Sequence, residues 1–250
     1  MDASTILANL KRVAAERDRR RAEPRLAARV VAIKAFQHRR FEACYADLLA
    51  TERYRAAARF FLNDLYGPHD FTDRDAQFAR VVPALVRMFP ASVVHTVRAL
   101  SELHALSECL DSAMAEAMDS DQVDADRYGL AWRAVGRRDD RLRQIALMHE
   151  IGLALERFTK NSLLRHTLRM MRVPARASGL SALQKFLENG FDAFRSMRGA
   201  GVFLDTIRER ETDLAEALFA PSGSMKPTGR PPVLARVAWP AAVVVQWPRE

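Results

Sequence analysis

The sequence has little cysteine and no long apolar segment. Its 250 residues include only two cysteines, Cys44 and Cys109, which are too few for a disulfide framework and do not form a CxxC pair. No stretch reaches the ~18 to 20 apolar residues that a membrane-spanning helix requires. The first residues, MDASTILANLKRVAAERDRRR, lack the apolar segment of a secretory signal. We therefore expect a cytoplasmic protein with no membrane span.

Lysine is also scarce, whereas arginine is abundant. Only five of the 39 basic residues are lysine, and the formal net charge is +8. Residues 1–60 contain 14 basic and 7 acidic side chains, a surplus of 7 that nearly equals that of the whole chain. Such a region attracts polyanions, so nucleic-acid binding through the N-terminal helices is one candidate function. The first 35 residues have no aromatic residues interleaved with the basic ones, which favours a solvent-exposed, arginine-rich helix instead.

Strand-like alternation is absent before residue 220, and helical periodicity takes its place. Ile6, Leu10 and Val13, for example, recur at the spacing of one helix face. Thr72, followed by Asp75 three residues later, resembles a capping box. We expect an all-α protein, a multi-helix bundle of about eight helices. The helical segments are expected at about residues 4–22, 26–50, 51–67, 72–89, 92–118, around Trp132, 139–161, 162–172, 180–197 and 201–219.

The chain divides into three predicted regions. Residues 1–50 are expected to form basic helices that pack on a bundle of residues 51–220. Residues 221–250 contain six of the eleven prolines and two of the three tryptophans, with little helical pattern. The segment AAVVVQW has β-propensity, but Pro240 and Pro248 flank it closely. We expect an irregular, proline-rich, flexible tail. The alternative is a docking peptide, because exposed Trp and Val favour a partner that covers them.

The segment FFLNDLYG, residues 60–67, places a carboxylate among apolar side chains. On an α-helix with Phe61 at 0°, Leu65 lies at about +40°, Asp64 at about −60° and Asn63 at about 200°. Asp64 therefore falls within the apolar arc, whereas Asn63 faces away. An unpaired buried charge costs several kcal/mol, so Asp64 is expected to have a polar partner. We expect that partner, an arginine in the simplest case, to come from a different segment.

A longer stretch, RYRAAARFFLNDLYGPHDFTDRDAQFARVVPALVRMFP, resembles the signature of a family of bacterial proteins named after a FFLEELY motif. The motif residues are Phe60, Phe61, Leu62, Asp64, Leu65, Tyr66, Gly67, Pro68, Asp70 and Phe71, followed by Arg74 and Asp75. Asn63 stands where the motif has its first glutamate, and Asp64 shortens the second. The resemblance covers residues 53–90. It implies no activity to carry over, because the family consists of uncharacterised proteins with a domain of unknown function.

Two predicted helices each carry a histidine and a glutamate seven residues apart. His95 and Glu102 lie on one, and His149 and Glu156 lie on the other. Seven residues bring both side chains of a pair to within about 20° of each other around the helix, and helical bundles build metal sites from such inward groups. However, no Glu-x-x-His pair is present, and seven residues span ~10.5 Å. With Asp64, which could complete a cluster or pair with either histidine, these four are our candidates for buried polar residues.

Common catalytic motifs are absent from the sequence. It has no Gly-rich phosphate loop, no HExxH, no GxSxG and no dinucleotide fingerprint. Catalytic residues therefore remain unassigned, and no cofactor or metal is expected. We expect a non-enzymatic helical module that binds another macromolecule, with a protein as the expected partner. The alternatives are a metal- or cofactor-binding bundle with cryptic enzyme activity, and a nucleic-acid-associated protein.

Overall fold

The computed structural model describes residues 2–65, 71–120, 122–220 and 239–244. These residues are almost entirely helical, which confirms the predicted all-α class. The α-helices are α1 (Asp2–Ala22), α2 (Pro24–Cys44), α3 (Ala46–Ala50), α4 (Glu52–Phe60), α5 (Thr72–Met88), α6 (Ala91–Glu116), α7 (Ala125–Val135), α8 (Arg138–Thr159), α9 (Ser162–Met170), α10 (Arg172–Ala177), α11 (Ser181–Ser196) and α12 (Gly201–Phe219). A π-helical turn (Phe61–Leu65) follows α4, and two short strands are β1 (Gln122–Val123) and β2 (Val243–Val244).

The described residues form more helices than the eight or so that we expected. The helix expected over residues 26–50 is divided at Tyr45 into α2 and α3. The segment RVPARASG, expected to be a break, contains α10. Pro174 is tolerated there because it lies in the first turn, where backbone N–H groups have no partner within the helix. The break expected at RGAG is present, since Arg198 and Gly199 both have positive φ.

Helix α6 is surrounded by other helices. It packs against α1, α2, α5, α7 and α8, while α8 also packs against α11 and α12. Because of this position α6 buries polar as well as apolar residues, including Ser101, Glu108, Asp111 and Ser112. None of the helices in the described ranges is both long and apolar enough to cross a membrane.

Two large apolar clusters hold the bundle together. One surrounds Phe36, Tyr128 and Trp132 and joins α2, α6, α7 and α12. The other surrounds Phe60 at the end of α4 and Phe61 at the start of the π-helical turn, and it joins α2, α4, α8, α11 and α12. In the second cluster Gly190 permits a close approach, because a Cβ there would lie 2.9 Å from Cζ of Phe60. Both clusters span elements from either side of residue 50. The apolar packing therefore marks no boundary at residue 50, and the predicted division of the chain there stays a prediction.

Six residues of the tail, 239–244, lie within the described part of the chain. Trp239 stacks on Phe36 with ring centroids 6.2 Å apart. Val243 and Val244 of β2 pair in antiparallel fashion with β1. The predicted β-propensity of this segment is therefore realised in a short strand that packs on the helical bundle. Residues 221–238 and 245–250 lie outside the described residues, and for them the flexible tail stays a prediction.

Candidate functional site

The FFLNDL segment contributes mainly to packing. Phe60, Phe61 and Leu62 are buried, whereas Asn63 is exposed. The ring of Phe61 lies 6.0 Å from that of Phe194 and 5.4 Å from that of Phe203, measured between centroids. The paired phenylalanines thus join α4 to α11 and α12. Residues 66–70, which include Tyr66, Gly67, Pro68 and Asp70 of the motif, lie outside the described residues.

Asp64 is half-buried and lies within the π-helical turn. Its Oδ1 accepts a hydrogen bond from Nδ2 of Asn189 at 3.5 Å, and its backbone carbonyl accepts one from Nη1 of Arg74 at 2.9 Å. The neighbour from another segment is therefore an amide on α11, and the arginine reaches the backbone instead of the carboxylate. The i→i+5 bonds of a π turn add a residue to each turn, so directions calculated for an α-helix shift along this segment.

The four His and Glu candidates do not come together. Each takes a separate partner near the surface. On α6, Nε2 of His95 lies 2.8 Å from Oε1 of Glu150, and Glu102 accepts two hydrogen bonds from Arg143. On α8, Nε2 of His149 lies 3.0 Å from Oδ1 of Asp205, and Glu156 pairs with Lys160. The side chain of His95 is 55% exposed, so its predicted inward position is wrong. The partners of His95 and Glu102 lie across the α6–α8 contact, whereas His149 pairs with α12 and Glu156 pairs with a residue at the end of its own helix.

The predicted shared cluster with Asp64 is also not found. Within the described ranges, no three His, Cys, Asp or Glu residues lie close enough to hold a metal ion. Asp64 bonds to Asn189 and pairs with neither His95 nor His149. Two side chains that share one face of a helix therefore need not form a common site. The partner of each depends on how the neighbouring helix crosses.

Polar groups instead gather around Glu108 of α6. Its side chain is only 5% exposed and forms an ion pair with Arg20 of α1. Nζ of Lys34, from α2, donates to Oε1 of Glu108 at 2.9 Å. Arg20 also donates to the backbone carbonyl of Glu108 and to the hydroxyl of Ser112. One carboxylate thus neutralises cations from both N-terminal helices.

The network continues toward α5 through Asp75. Nη2 of Arg17 donates to Oδ2 of Asp75 at 2.7 Å, and Nε2 of His104 donates to the same oxygen at 2.7 Å. Nη1 of Arg17 donates to the hydroxyl of Thr72 at 3.5 Å. The predicted capping box is therefore wrong. Phe71 occupies the N-cap position without a side-chain hydrogen bond, and Asp75 is used to bind α1 and α6.

On the opposite side of Glu108 the network reaches Asp111, Gln37 and Tyr128. Nε2 of Gln37 donates to Oδ1 of Asp111 at 3.2 Å and to the hydroxyl of Tyr128 at 3.4 Å. Burial raises the pKa of Asp111 above its ordinary value, and the nearby charge of Lys34 counteracts this only in part. The name buried polar network is used below for Arg17, Arg20, Lys34, Gln37, Asp75, His104, Glu108, Asp111, Ser112 and Tyr128.

A second buried ion pair ties α2 to α12. Arg40 donates to both carboxylate oxygens of Glu211, at 2.8 and 3.0 Å. The hydroxyl of Tyr45 donates to the same group at 2.7 Å. Together with the pairs of Arg17, Arg20 and Lys34, this bond neutralises much of the N-terminal charge surplus. The expectation of a solvent-exposed arginine face is therefore wrong for Arg20 and Arg40, which are buried.

A different kind of surface occurs on α9 and α10. Leu163, Met170, Met171 and Val173 are exposed, with 68%, 65%, 46% and 77% of their surface accessible. Between Glu156 and Glu188 the chain carries seven basic residues and no acidic one. The name α9–α10 surface is used below for these four apolar side chains together with Arg169, Arg172 and Arg176.

Comparison with known protein families gives a match that includes most of the residues described above. A family described as a domain of unknown function (DUF8198) matches residues 16–224. The chain belongs to this family. No curated protein and no solved structure matches the chain. The DUF8198 region includes both the buried polar network and the α9–α10 surface, whereas β2 lies beyond its end.

Sequence reasoning missed the buried polar network of this DUF8198 chain, although a signal was present. His104, Glu108 and Asp111 are spaced four and three residues apart, so they form one polar line along α6. That line runs between apolar positions such as Leu106 and Leu110, both of which are buried. Three polar residues on one line of a long, otherwise apolar helix indicate a buried charge network, and basic neighbouring helices could have supplied its partners.

The network makes the stability of this DUF8198 protein pH-dependent. Burial would raise the pKa of Glu108, but the charges of Lys34 and Arg20 outweigh it and hold this pKa at about 2, below the ordinary 4.5. The pKa of Asp75 is also lowered: burial opposes this, and the hydrogen bond from His104 and the charges around it prevail. Glu108 and Asp75 therefore stay ionised in the folded state at acidic pH values at which the same two side chains bind protons in the unfolded chain.

We therefore expect the free energy of unfolding to be highest above about pH 5 and to fall as the pH drops from about 4.5 toward 2. The Glu108 difference alone corresponds to about 3 kcal/mol. The raised pKa of Asp111 acts in the opposite direction and offsets part of the loss. Urea unfolding between pH 3 and 7 measures the dependence, and a constant free energy over that range would contradict it.

Proposed function

We propose that this protein is a non-enzymatic helical module that binds another macromolecule through the α9–α10 surface. The exposure of four large apolar side chains on two short adjacent helices is the observation that carries the proposal. Covering a Leu, Met or Val side chain contributes about 1.5–3 kcal/mol, and apolar patches of this kind often mark interaction sites. The surrounding arginines add charge that an anionic partner can neutralise.

The state of the other polar groups supports a binding role. The acidic and basic side chains of the buried polar network bond to one another, and the His and Glu candidates each take a surface partner. We infer that the FFLNDL segment, including Asp64, has a structural role, since its phenylalanines join α4 to α11 and α12. The metal-site alternative finds no support in these contacts.

The N-terminal helices are a weaker candidate surface than α9 and α10. At least five of their basic residues pair with acidic residues from α5, α6 or α12, namely Arg17, Arg19, Arg20, Lys34 and Arg40. These charges are already neutralised within the fold, so the local surplus overstates the positive field offered to a nucleic acid. The nucleic-acid alternative therefore loses the observation that suggested it.

The resemblance to the FFLEELY-motif proteins supports a further proposal, that the chain belongs among those bacterial proteins. Residues 53–90 carry that resemblance. We also propose a cytoplasmic location. Both Cys44 and Cys109 are free thiols, which fits a reducing compartment.

Site-specific photo-crosslinking in living cells tests the binding role. A benzophenone amino acid is placed at Met170 of the full chain, and in a matched control at Val202 of α12, which is 67% exposed. We expect discrete adducts from position 170, because it lies within the proposed interface, and none from position 202. The additional change Leu163→Ser is expected to abolish them. Equal adduct yields at both positions, or adducts that persist after Leu163→Ser, would overturn the proposal.

A further inference from the structure

We propose that the partner of the α9–α10 surface is a protein that presents an acidic, amphipathic helical segment. This inference rests on the proposed binding function and names the chemistry of the partner. Three observations carry it: the charge of the segment, the acidic residues at its border, and the shape of the surface between α9 and α11.

The charge of the segment favours an anionic partner. Residues 157–187 contain Arg157, Lys160, Arg165, Arg169, Arg172, Arg176 and Lys185, and no acidic residue. Two of these arginines are neutralised by α11, where Arg165 pairs with Asp192 at 3.0 Å and Arg172 pairs with Glu188 at 2.6 Å. In the described part of the chain no ion pair is found for Arg169 or Arg176. The charge of Arg176 is available to carboxylates from outside. That of Arg169, which adds to the hydrogen bond from Arg172 in lowering the pKa of Glu188, is available in part.

The acidic residues at the border favour a protein over a membrane or a nucleic acid. Asp192 is 55% exposed and lies at the edge of the arginine group. A continuous negative surface, such as an anionic bilayer or a phosphate backbone, would meet this carboxylate and that of Glu188 at close range. A protein segment carries separate charges, so it can place its carboxylates near Arg169 and Arg176 and avoid the acidic border.

The apolar part of the surface also argues against nucleic acid. Residues 161–180 contain no Phe, Tyr or Trp, and His166 is their one aromatic side chain on which a base could stack. They contain Leu163 and Met170 instead, seven residues apart and within about 20° of each other around α9, a separation of ~10.5 Å along its axis. This is the spacing at which an amphipathic helix presents successive apolar anchors.

A shallow hollow lies between α9 and α11, beside Arg169 and Arg172 of the surface. Leu168 and Phe191 contribute its apolar lining, and its charged lining consists of Arg165, Arg169 and Arg172 together with the carboxylates of Glu188 and Asp192. Because Arg165 and Arg172 are paired there, the hollow offers the charge of Arg169 beside an apolar surface to a carboxylate that accompanies an apolar side chain. The two methionines beside it have flexible side chains that adapt to the shape of a partner.

Selection from a peptide display library tests the inference with the full chain as bait. Random 16-residue peptides are selected on the unmodified protein and, in parallel, on the double variant Arg169→Glu and Arg176→Glu. We expect the enriched peptides to be acidic and to repeat apolar residues every three or four positions. Their affinity is expected to fall at least about tenfold for that variant and for Leu163→Ser with Met170→Ser. Arg39→Glu and Val202→Ser, exposed positions on α2 and α12, should leave the affinity unchanged.

Two further probes distinguish the other classes of partner. Vesicles with and without phosphatidylglycerol, and a single-stranded RNA, are offered to the same set of variants, each shown by its melting temperature to be folded. The inference is overturned if enriched peptides lack acidic residues, or bind all variants equally. It is also overturned if anionic vesicles or RNA bind through these residues and no peptides are enriched. If adducts at Met170 persist in cells under those outcomes, the binding function stands and only the partner class is wrong.

Discussion

Replacing Glu108 with glutamine is expected to lower the free energy of unfolding by at least about 3 kcal/mol. The substitution keeps the size of the side chain but removes the charge that neutralises Arg20 and Lys34, while both cations remain buried or half-buried. Asp111, 3.7 Å from Lys34, compensates only in part. Urea unfolding at pH 7 measures the loss. If the variant does not fold at ordinary temperature, its soluble yield at low temperature provides the second measurement.

A matched control lies two turns further along the same helix. Glu116 pairs with Arg19, but its side chain is 54% exposed. Exposed pairs contribute about 0–1 kcal/mol, so Glu116→Gln is expected to change the free energy of unfolding very little. The pH series gives an independent test, because Glu108→Gln should also remove the part of the acid-side slope that comes from Glu108, while the part from Asp75 remains. Equal effects of the two substitutions would show that burial of Glu108 does not matter.

Replacing Phe61 with alanine is expected to cost about 3–5 kcal/mol, an effect of similar size with a different origin. The ring is 2% exposed and contacts Phe194 and Phe203, so its removal leaves a cavity where α4, α11 and α12 meet. Chemical unfolding followed by circular dichroism measures the change. Binding of selected peptides to the fraction that remains folded should be unaffected, because the α9–α10 surface lies elsewhere.

Asn63→Ala provides the comparison within the same motif. Asn63 is exposed, so its removal is expected to change stability by less than about 0.5 kcal/mol. A large loss at Asn63, or a small one at Phe61, would contradict a packing role for the segment. If instead Phe61→Ala left stability intact and abolished partner binding, the motif itself would be the binding site.

Helix positions could be predicted from the sequence because they depend on local patterns. α12 is found at residues 201–219, as expected, and α6 begins one residue before the predicted start. Apolar spacing and glycine or proline breaks are local properties, and they decide where a helix runs. The division at Tyr45 was missed because neither glycine nor proline marks it.

The partners of charged residues could not be predicted in the same way. Arg20 and Glu108 are 88 positions apart, and nothing in either helix specifies that these two meet. His95 illustrates the same limit, because a residue at the edge of an apolar stripe faces the core or solvent according to the crossing of its neighbour. The π-helical turn changed the direction of Asp64 for a related reason, since its hydrogen-bond pattern has no clear local signature.

The positions of Trp132 and Trp239 determine what the fluorescence of these two indoles reports about this molecule. Trp239 and Trp132 both pack against the ring of Tyr128, with centroids 6.5 and 5.9 Å away. The indoles that the structure describes therefore share one corner of the bundle, formed by α2, α7 and the end of the chain. Their emission is expected to track the release of the C-terminal strand and the solvation of that corner. Loosening around Phe61 would escape the emission of Trp132 and Trp239, so their corner can be followed separately from that region.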